Sequence, residues 1–295
     1  MDFRILGPVE VFGDDGEPVV LAQRLQRRLV AELLLRARRP CARSELIAAL
    51  WADRPPSGSG AGALRSLVHA TRRALGRYGE RLDTSPAGYA FLAADSESDL
   101  AEFCDLAGRG QAALGDGDAA SAARLLAEAL RLWRQPQLAD LATTAAQARL
   151  LDQFRAVRAD LVDARLALGQ HRSTLPDLRA MVAEDPLHEH SWAQLMTALY
   201  VTGSRAKALA CYREIRRALV LGHGIDPGPE LLDLHARILR DDPGLLPLPR
   251  EPAGGLPVIG GPPSPSAPPP SPSSPACSPT PTCSWAELRL GDQSP

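Results

Sequence analysis

Four side chains between residues 65 and 73 have the types that proteins use to bind a polyanion. Residues 63–76 read ALRSLVHATRRALG, and the basic members are Arg65, His69, Arg72 and Arg73. Arginine pairs well with guanine edges and with phosphates, and an α-helix fits the major groove of DNA. The chemistry that this pattern predicts is recognition of nucleic acid.

The same stretch has the apolar spacing of an amphipathic helix. Leu64, Leu67, Val68 and Leu75 fall on one side, so the basic side chains would face outward. Gly76 would end the helix. The preceding SGSGAGA predicts a late helix start, because glycine costs about 1 kcal/mol relative to alanine inside a helix. A surface helix that binds nothing has the same pattern, so the surrounding elements must decide.

Charge along the chain is uneven. The 295 residues have a formal net charge of -2, whereas residues 24–81 contain 13 arginines and four acidic residues. A local basic patch is an electrostatic footprint for a polyanion. A solvated surface in an arginine-rich protein gives a similar count, so charge alone leaves both interpretations open.

The elements around the basic helix predict an α+β domain over residues 1–92. FRILGPVEVF, the turn DDG and EPVVL predict a small antiparallel sheet. RLQRRLVAELLLRA and ARSELIAALW have helical periodicity, and RLDTSPAGYAFLA predicts a hairpin. This order fits a winged helix-turn-helix, whose third helix enters the major groove. The hairpin, or wing, contains Gly88 and Tyr89, which we expect at the DNA interface, where they would place the wing near the DNA backbone. Weaker phosphate candidates are Arg27, Arg28, Arg38, Arg39 and Arg43.

Residues 93–240 predict an all-α, tetratricopeptide-like repeat domain. Gly169 and Gly203 are 34 residues apart, which is the period of that repeat. Trp192 and Tyr212 sit at repeat spacing and are expected in the core. GIDPGPELLDLHARIL predicts a turn and then a helix that starts near Pro229. Residues 241–295 are rich in proline and serine, which predicts a disordered tail.

Motifs for catalysis, cofactors and metals are missing from the sequence. It has no P-loop, nucleophile elbow, zinc-protease or dinucleotide-binding motif. The five cysteines form no C-x-x-C pair, and the nearest histidines, His188 and His190, are weak candidates for metal binding. No apolar run reaches the roughly 18 residues of a membrane helix, and the first residues lack a signal-peptide pattern. We therefore expect a cytoplasmic protein that is not an enzyme and has no cofactor, metal or membrane partner.

Several segments strongly resemble the SARP family, the Streptomyces antibiotic regulatory proteins. FRILGPVEV, AELLLRARRPCARSELIAALW, LRSLVHATRRALG and TSPAGYAF resemble its N-terminal domain, an OmpR-type winged helix. AALGDGDAASAARLLAEALRLWRQPQLADL, ALYVTGSRAKALACYREIRRAL and GIDPGPELLDLHARIL resemble its bacterial transcriptional activator domain. The tail is not covered by this resemblance.

The resemblance implies a small-form transcriptional activator. Such proteins bind direct repeats near promoters with subunits side by side, recruit RNA polymerase and switch on antibiotic and other secondary-metabolite clusters. Arg72 and Arg73 match the family's arginines. Arg65, His69 and Thr71 depart from its pattern, and Thr71 in an apolar position predicts a less tight core.

Two alternatives remain open at the level of sequence. One is a helical-repeat interaction scaffold whose N-terminal domain binds a protein and not DNA. The other is a small-molecule sensor in the helical groove, for which the sequence shows no convergent polar cluster.

Overall fold

In the first part of the chain, the described residues form two strand pairs and three α-helices. The computed structural model describes residues 1–36, 39–51, 59–135, 138, 140 and 144–245. The first elements are β1 (Asp2–Arg4), β2 (Glu10–Phe12), α1 (Arg24–Leu34), α2 (Arg43–Leu50), α3 (Gly60–Leu75), β3 (Leu82–Ser85) and β4 (Gly88–Phe91). Strands, three helices and a hairpin thus follow one another in the predicted order.

Both strand pairs are antiparallel. Phe3 lies opposite Val11 in the β1–β2 pair, and the β3–β4 pair is the predicted hairpin. The segment EPVVL was expected to add a strand to the first pair. It adds only an isolated bridge between Phe12 and Pro18, so the N-terminal sheet has two strands among the described residues.

Helix α3 begins earlier than its glycine content predicts. It starts at Gly60, where the Oγ atom of Ser59 accepts a hydrogen bond from the N–H of Gly62. A side chain at Gly60 would place its Cβ 3.2 Å from Ile47 of α2, so the small residue lets the two helices approach closely. Thr71 is fully buried, and its hydroxyl donates to the Leu67 carbonyl at 2.8 Å, which satisfies the polar atom in the core.

The rest of the described chain is helical. Its α-helices are α4 (Asp99–Gly115), α5 (Ala119–Arg131), α6 (Ala145–Ala167), α7 (His171–Glu184), α8 (Glu189–Val201), α9 (Arg205–His223) and α10 (Pro229–Leu239). Gly117, Gly169 and Gly203 follow α4, α6 and α8, with φ values of 79°, 76° and 81°. Because only glycine adopts this conformation without strain, these residues turn the chain from one helix to the next.

Two hydrophobic cores share helix α6. The first core runs from the N-terminal strands through α4 and α5 to residues such as Leu161 of α6. The second core includes Val162 of α6 and extends through α7–α10, with the predicted core residues Trp192 and Tyr212. The apolar core is therefore continuous across residue 92, the boundary that the sequence suggested.

A buried carboxylate of α4 holds the N-terminal sheet. Asp99 accepts hydrogen bonds from the backbone N–H groups of Ile5 at 2.9 Å and Leu6 at 3.1 Å. Burial raises the pKa of the Asp99 carboxyl, because the loss of hydration outweighs these bonds and the nearby Arg134 guanidinium. Arg134 also pairs with Glu10 and donates its backbone N–H to the Leu6 carbonyl.

The segment after α5 extends this contact. Asp140 is buried and accepts hydrogen bonds from the Val9 N–H and the Arg27 Nε, both at 3.0 Å. A Cβ on Gly7 would lie 2.7 Å from the Cβ of Arg134. Arg134 and Asp140 both belong to LWRQPQLADL, so this phrase of the sequence joins the two parts of the chain.

The segment GIDPGPEL also contributes to the packing of the last helices. Gly224 ends α9 in the left-handed conformation, and Pro229 is the first residue of α10, as predicted. The N–H of Gly228 donates to the Glu189 carboxylate of α8 at 2.7 Å. These contacts hold α10 against α8 and α9.

Candidate nucleic-acid interface

Three of the four basic residues form one exposed stripe along α3. Arg65, His69 and Arg73 are exposed and follow one another at four-residue intervals, which places them on one face of the helix. The residues predicted to face inward are all buried: Leu64, Leu67, Val68 and Leu75. The helix thus presents a basic face while its apolar face anchors it.

Arg72 has different surroundings from Arg73. Its Nε and Nη2 atoms donate to the Leu82 carbonyl, and Nη2 also donates to the Thr84 hydroxyl at 2.7 Å. The side chain is half-buried. Arg72 therefore braces β3 against α3, and two of its three guanidinium nitrogens are already engaged within the protein.

An open cleft of about 600 Å³ lies beside the stripe, between the end of α3 and the start of the hairpin. His69 and Arg73 line it from the helix, and Glu80 and Asp83 line it from the segment that follows. The space next to the two basic residues is therefore accessible to a ligand.

The hairpin residues predicted to contact DNA lie inside the protein. Gly88 and Tyr89 are buried, and Tyr89 exchanges two backbone hydrogen bonds with Cys41. Gly88 has a φ of 140°, and a Cβ there would lie 1.8 Å from the Cys41 carbonyl oxygen. These two residues position the hairpin and do not reach its outer surface. Exposed Arg43 lies over the Tyr89 ring at 5.8 Å and reaches the Ser85 carbonyl.

Two arginines of α1, the phosphate candidates Arg27 and Arg28, are engaged within the structure. Arg28 is buried, with Nη1 3.4 Å from the Leu50 carbonyl, so burial removes it from the set of residues that can contact a phosphate. Arg27 donates to Asp140, which lies 113 positions away and which no local sequence pattern indicates as its partner. Arg39 is exposed, and Arg38 lies outside the described residues.

Other groups with possible chemistry do not converge. Burial raises the pKa of the Cys41 thiol to about 12, so this cysteine has no thiolate at neutral pH. His188 contacts Ser191 and His190 contacts Asp163, each at 2.8 Å. Among the described residues there is no cluster of three or more metal-ligating side chains, and none of the helices there is long and apolar enough to cross a membrane.

Sequence comparisons place the chain among known regulators. Residues 98–239 match the Bacterial transcriptional activator domain. The chain is 36% identical over 252 residues to the transcriptional regulatory protein EmbR of Mycobacterium tuberculosis, covering 82% of this chain and 64% of EmbR. It is 38% identical over 248 residues to the regulatory protein AfsR of Streptomyces coelicolor, covering 82% of this chain and 24% of AfsR. It is 30% identical over 258 residues to the regulatory protein DnrI of Streptomyces peucetius, covering 83% of this chain and 94% of DnrI.

The fold agrees with these similarities. The structure of Mycobacterium tuberculosis EmbR in complex with a low-affinity phosphopeptide aligns with a TM-score of 0.72 at 36% identity, covering 82% of this chain and 65% of that one. The chain thus spans less than two thirds of EmbR and about a quarter of AfsR. The matched domain and relatives define a bacterial regulator of transcription. The chain belongs to the SARP family of transcriptional activators, which confirms the resemblance read from the sequence.

Proposed function

We propose that the protein activates transcription by sequence-specific DNA binding through a winged helix-turn-helix formed by residues 1–92. The observation that carries this proposal is the exposed stripe of Arg65, His69 and Arg73 on a helix whose other face is buried. In such a domain α3 lies in the major groove, where arginine reads guanine edges or holds phosphates. The excess of arginine in residues 24–81 supports a polyanionic partner.

The β3–β4 hairpin is the wing in this proposal. Its turn residues, Pro86 and Ala87, are exposed, and the exposed Arg43 lies beside them at the Ser85 carbonyl. This placement lets the turn and Arg43 approach the phosphate backbone together. Arg72 sets the angle between wing and helix through its bonds to β3, and it offers its remaining nitrogen to DNA.

We assign partner contacts to the tetratricopeptide-like helices of residues 93–240. In this proposal, subunits bind side by side on direct repeats near a promoter, and the helical part contacts a neighbouring subunit or RNA polymerase. Membership of the SARP family supports both partners, and it supports a secondary-metabolite cluster as the target. Residues 246–295 of the predicted tail lie outside the described residues and have no role in the proposal.

A gel-shift titration tests DNA recognition. Purified protein is titrated onto promoter fragments from the neighbourhood of its gene, with competitor DNA and at several salt concentrations. Arg65→Ala and Arg73→Ala should each weaken selective binding by about 1–3 kcal/mol, or roughly 5- to 150-fold, if the side chain reads a base. A phosphate contact would instead weaken all fragments alike and reduce the salt slope by about one unit.

Arg124→Ala is the matched control. Arg124 is an exposed arginine of α5, outside residues 1–92, so its removal changes net charge equally without touching α3. Selective shifts that the Arg65 and Arg73 variants lose and the Arg124 variant keeps would support the proposal. Binding retained by all three variants, or an absence of selective shifts with a flat salt response, would contradict it and favour the helical-repeat scaffold.

A further inference from the structure

The helical part contains a cleft with an apolar floor and a basic rim. It measures about 400 Å³ and lies between α5, α6 and α7. Its apolar lining consists of Ala127, Leu130, Leu161, Val162 and Met181. Its charged lining consists of Arg131, Arg158, Arg165 and Asp177. Three arginines and one aspartate therefore border the same space.

The basic rim is formed only in the folded protein. Arg131 is the last residue of α5, whereas Arg158 and Arg165 lie on α6, seven residues apart and thus on one face. Arg131 is exposed and has no ion pair with any residue that the structure describes. This is the convergent polar cluster that the sequence by itself did not reveal.

The carboxylates beside the other two arginines are readily displaced. Arg158 pairs with Glu184, and Arg165 pairs with Asp177. The acidic side chains are 55% and 57% exposed, whereas the arginines are 22% and 32% exposed. Because both carboxylates are more than half exposed, water and salt weaken the two ion pairs, although the arginines themselves are partly buried. An incoming oxyanion can therefore share or replace these partners at small cost.

We propose that this cleft binds a small amphipathic anion, a molecule with an apolar body and one carboxylate, sulfonate or phosphate head. The apolar floor removes the body from water, and the planar guanidinium groups bind the head with paired hydrogen bonds. The volume lies in the range of roughly 300–1,000 Å³ that is typical of small-molecule sites. The opposing interpretation is that the arginine stems simply cover apolar surface while their heads remain in water.

The cleft lies where the two hydrophobic cores meet. Leu161 belongs to the first core and Val162 to the second, and both line the cleft. An occupant therefore touches α6, a helix that contributes to both cores. Because a ligand that binds only the folded state raises the free energy of unfolding, occupancy should stabilise the protein against heat.

Two fluorescent probes that differ in one charged group test the proposal on the full chain without DNA. The anionic probe is 1-anilinonaphthalene-8-sulfonate, and its uncharged counterpart is N-phenyl-1-naphthylamine, which has the same rings without the sulfonate. We expect saturable one-to-one binding of the anionic probe, about tenfold or more tighter than that of the uncharged probe. The anionic probe should also raise the thermal midpoint.

The double variant Arg131→Ala/Arg165→Ala should bind the anionic probe about tenfold or more weakly than the wild type does. Its affinity for the uncharged probe should be unchanged. Arg124→Ala is the matched control on α5, since Arg124 does not line the cleft, and should behave like the wild type. Ala127→Phe should fill the apolar floor and abolish binding of both probes, with circular dichroism verifying that each variant is folded. The proposal would be overturned if the two probes bound equally well. It would also be overturned if the folded double variant or the folded Ala127→Phe variant still bound the anionic probe as the wild type does.

Discussion

Replacing Asp99 with alanine tests whether α4 holds the N-terminal sheet through one carboxylate. The Asp99 side chain is 7% exposed and accepts the N–H groups of Ile5 and Leu6. The substitution leaves both buried N–H groups without their acceptor, whereas Arg134 keeps its ion pair with Glu10. The main loss of stability therefore comes from the two buried N–H groups that no longer have an acceptor.

The size of the effect follows from these two groups. Each buried donor left without a partner costs about 1–3 kcal/mol, so two cost about 2–6 kcal/mol. The raised pKa of Asp99 means that its ionised form is itself costly in the interior. Removing that charge offsets part of the loss, and we expect a net decrease of about 2–4 kcal/mol in the free energy of unfolding.

Urea unfolding, followed by circular dichroism and tryptophan fluorescence, measures this decrease. Asp105→Ala is the matched control, because Asp105 lies on the same helix, is 64% exposed and pairs with the exposed Arg109. Its loss should stay below about 1 kcal/mol. If Asp99→Ala were no more destabilising than Asp105→Ala, the buried carboxylate would not be holding the sheet as described.

Further substitutions probe the β3–β4 hairpin and the start of α7. Gly88→Ala should lower the free energy of unfolding by more than about 3 kcal/mol, because a Cβ there would lie 1.8 Å from a backbone carbonyl oxygen. Gly117 has a positive φ but open space around it, so Gly117→Ala should lower the free energy of unfolding by only about 1–2 kcal/mol in the same urea assay. Equal decreases for the two variants would argue against the close approach at Gly88. Burial lowers the pKa of His171 below 6.5, so its contribution to stability is complete above pH 6.5 and is lost as the pH falls. The unfolding free energy of the wild type should therefore drop more between roughly pH 7.5 and 5.5 than that of His171→Leu, and parallel pH profiles would speak against a buried neutral imidazole.

The candidate interface shows what a helical pattern in the sequence can predict about side chains and what it cannot. Four apolar positions in ALRSLVHATRRALG were enough to assign the buried face of α3, because a helix repeats its faces every 3.6 residues. The same pattern predicted that Arg72 and Arg73 both point outward. The structure separates them, since Arg72 lies against β3 and Arg73 does not. A helical period assigns a direction to each side chain but does not say what lies in that direction.

Two segments that resemble the SARP family show a different limit of prediction from sequence. LWRQPQLADL and GIDPGPEL lie in segments that resemble the SARP family, yet the sequence does not indicate what their residues contact. In the structure, Arg134 and Asp140 of the first phrase bind the N-terminal sheet and α1. Gly228 of the second phrase binds α8. Residues of both segments therefore serve the packing between elements.

By itself, the sequence determined the order of elements, the buried face of α3, the turn before α10 and membership of the family. Each of these depends on neighbouring residues or on a run of them. Only the tertiary structure decided which arginines are available to a ligand. Arg27 meets Asp140 across 113 positions of the chain, and Ile5 meets Asp99 across 94. Such contacts depend on how whole elements pack against each other, and no local period records that packing.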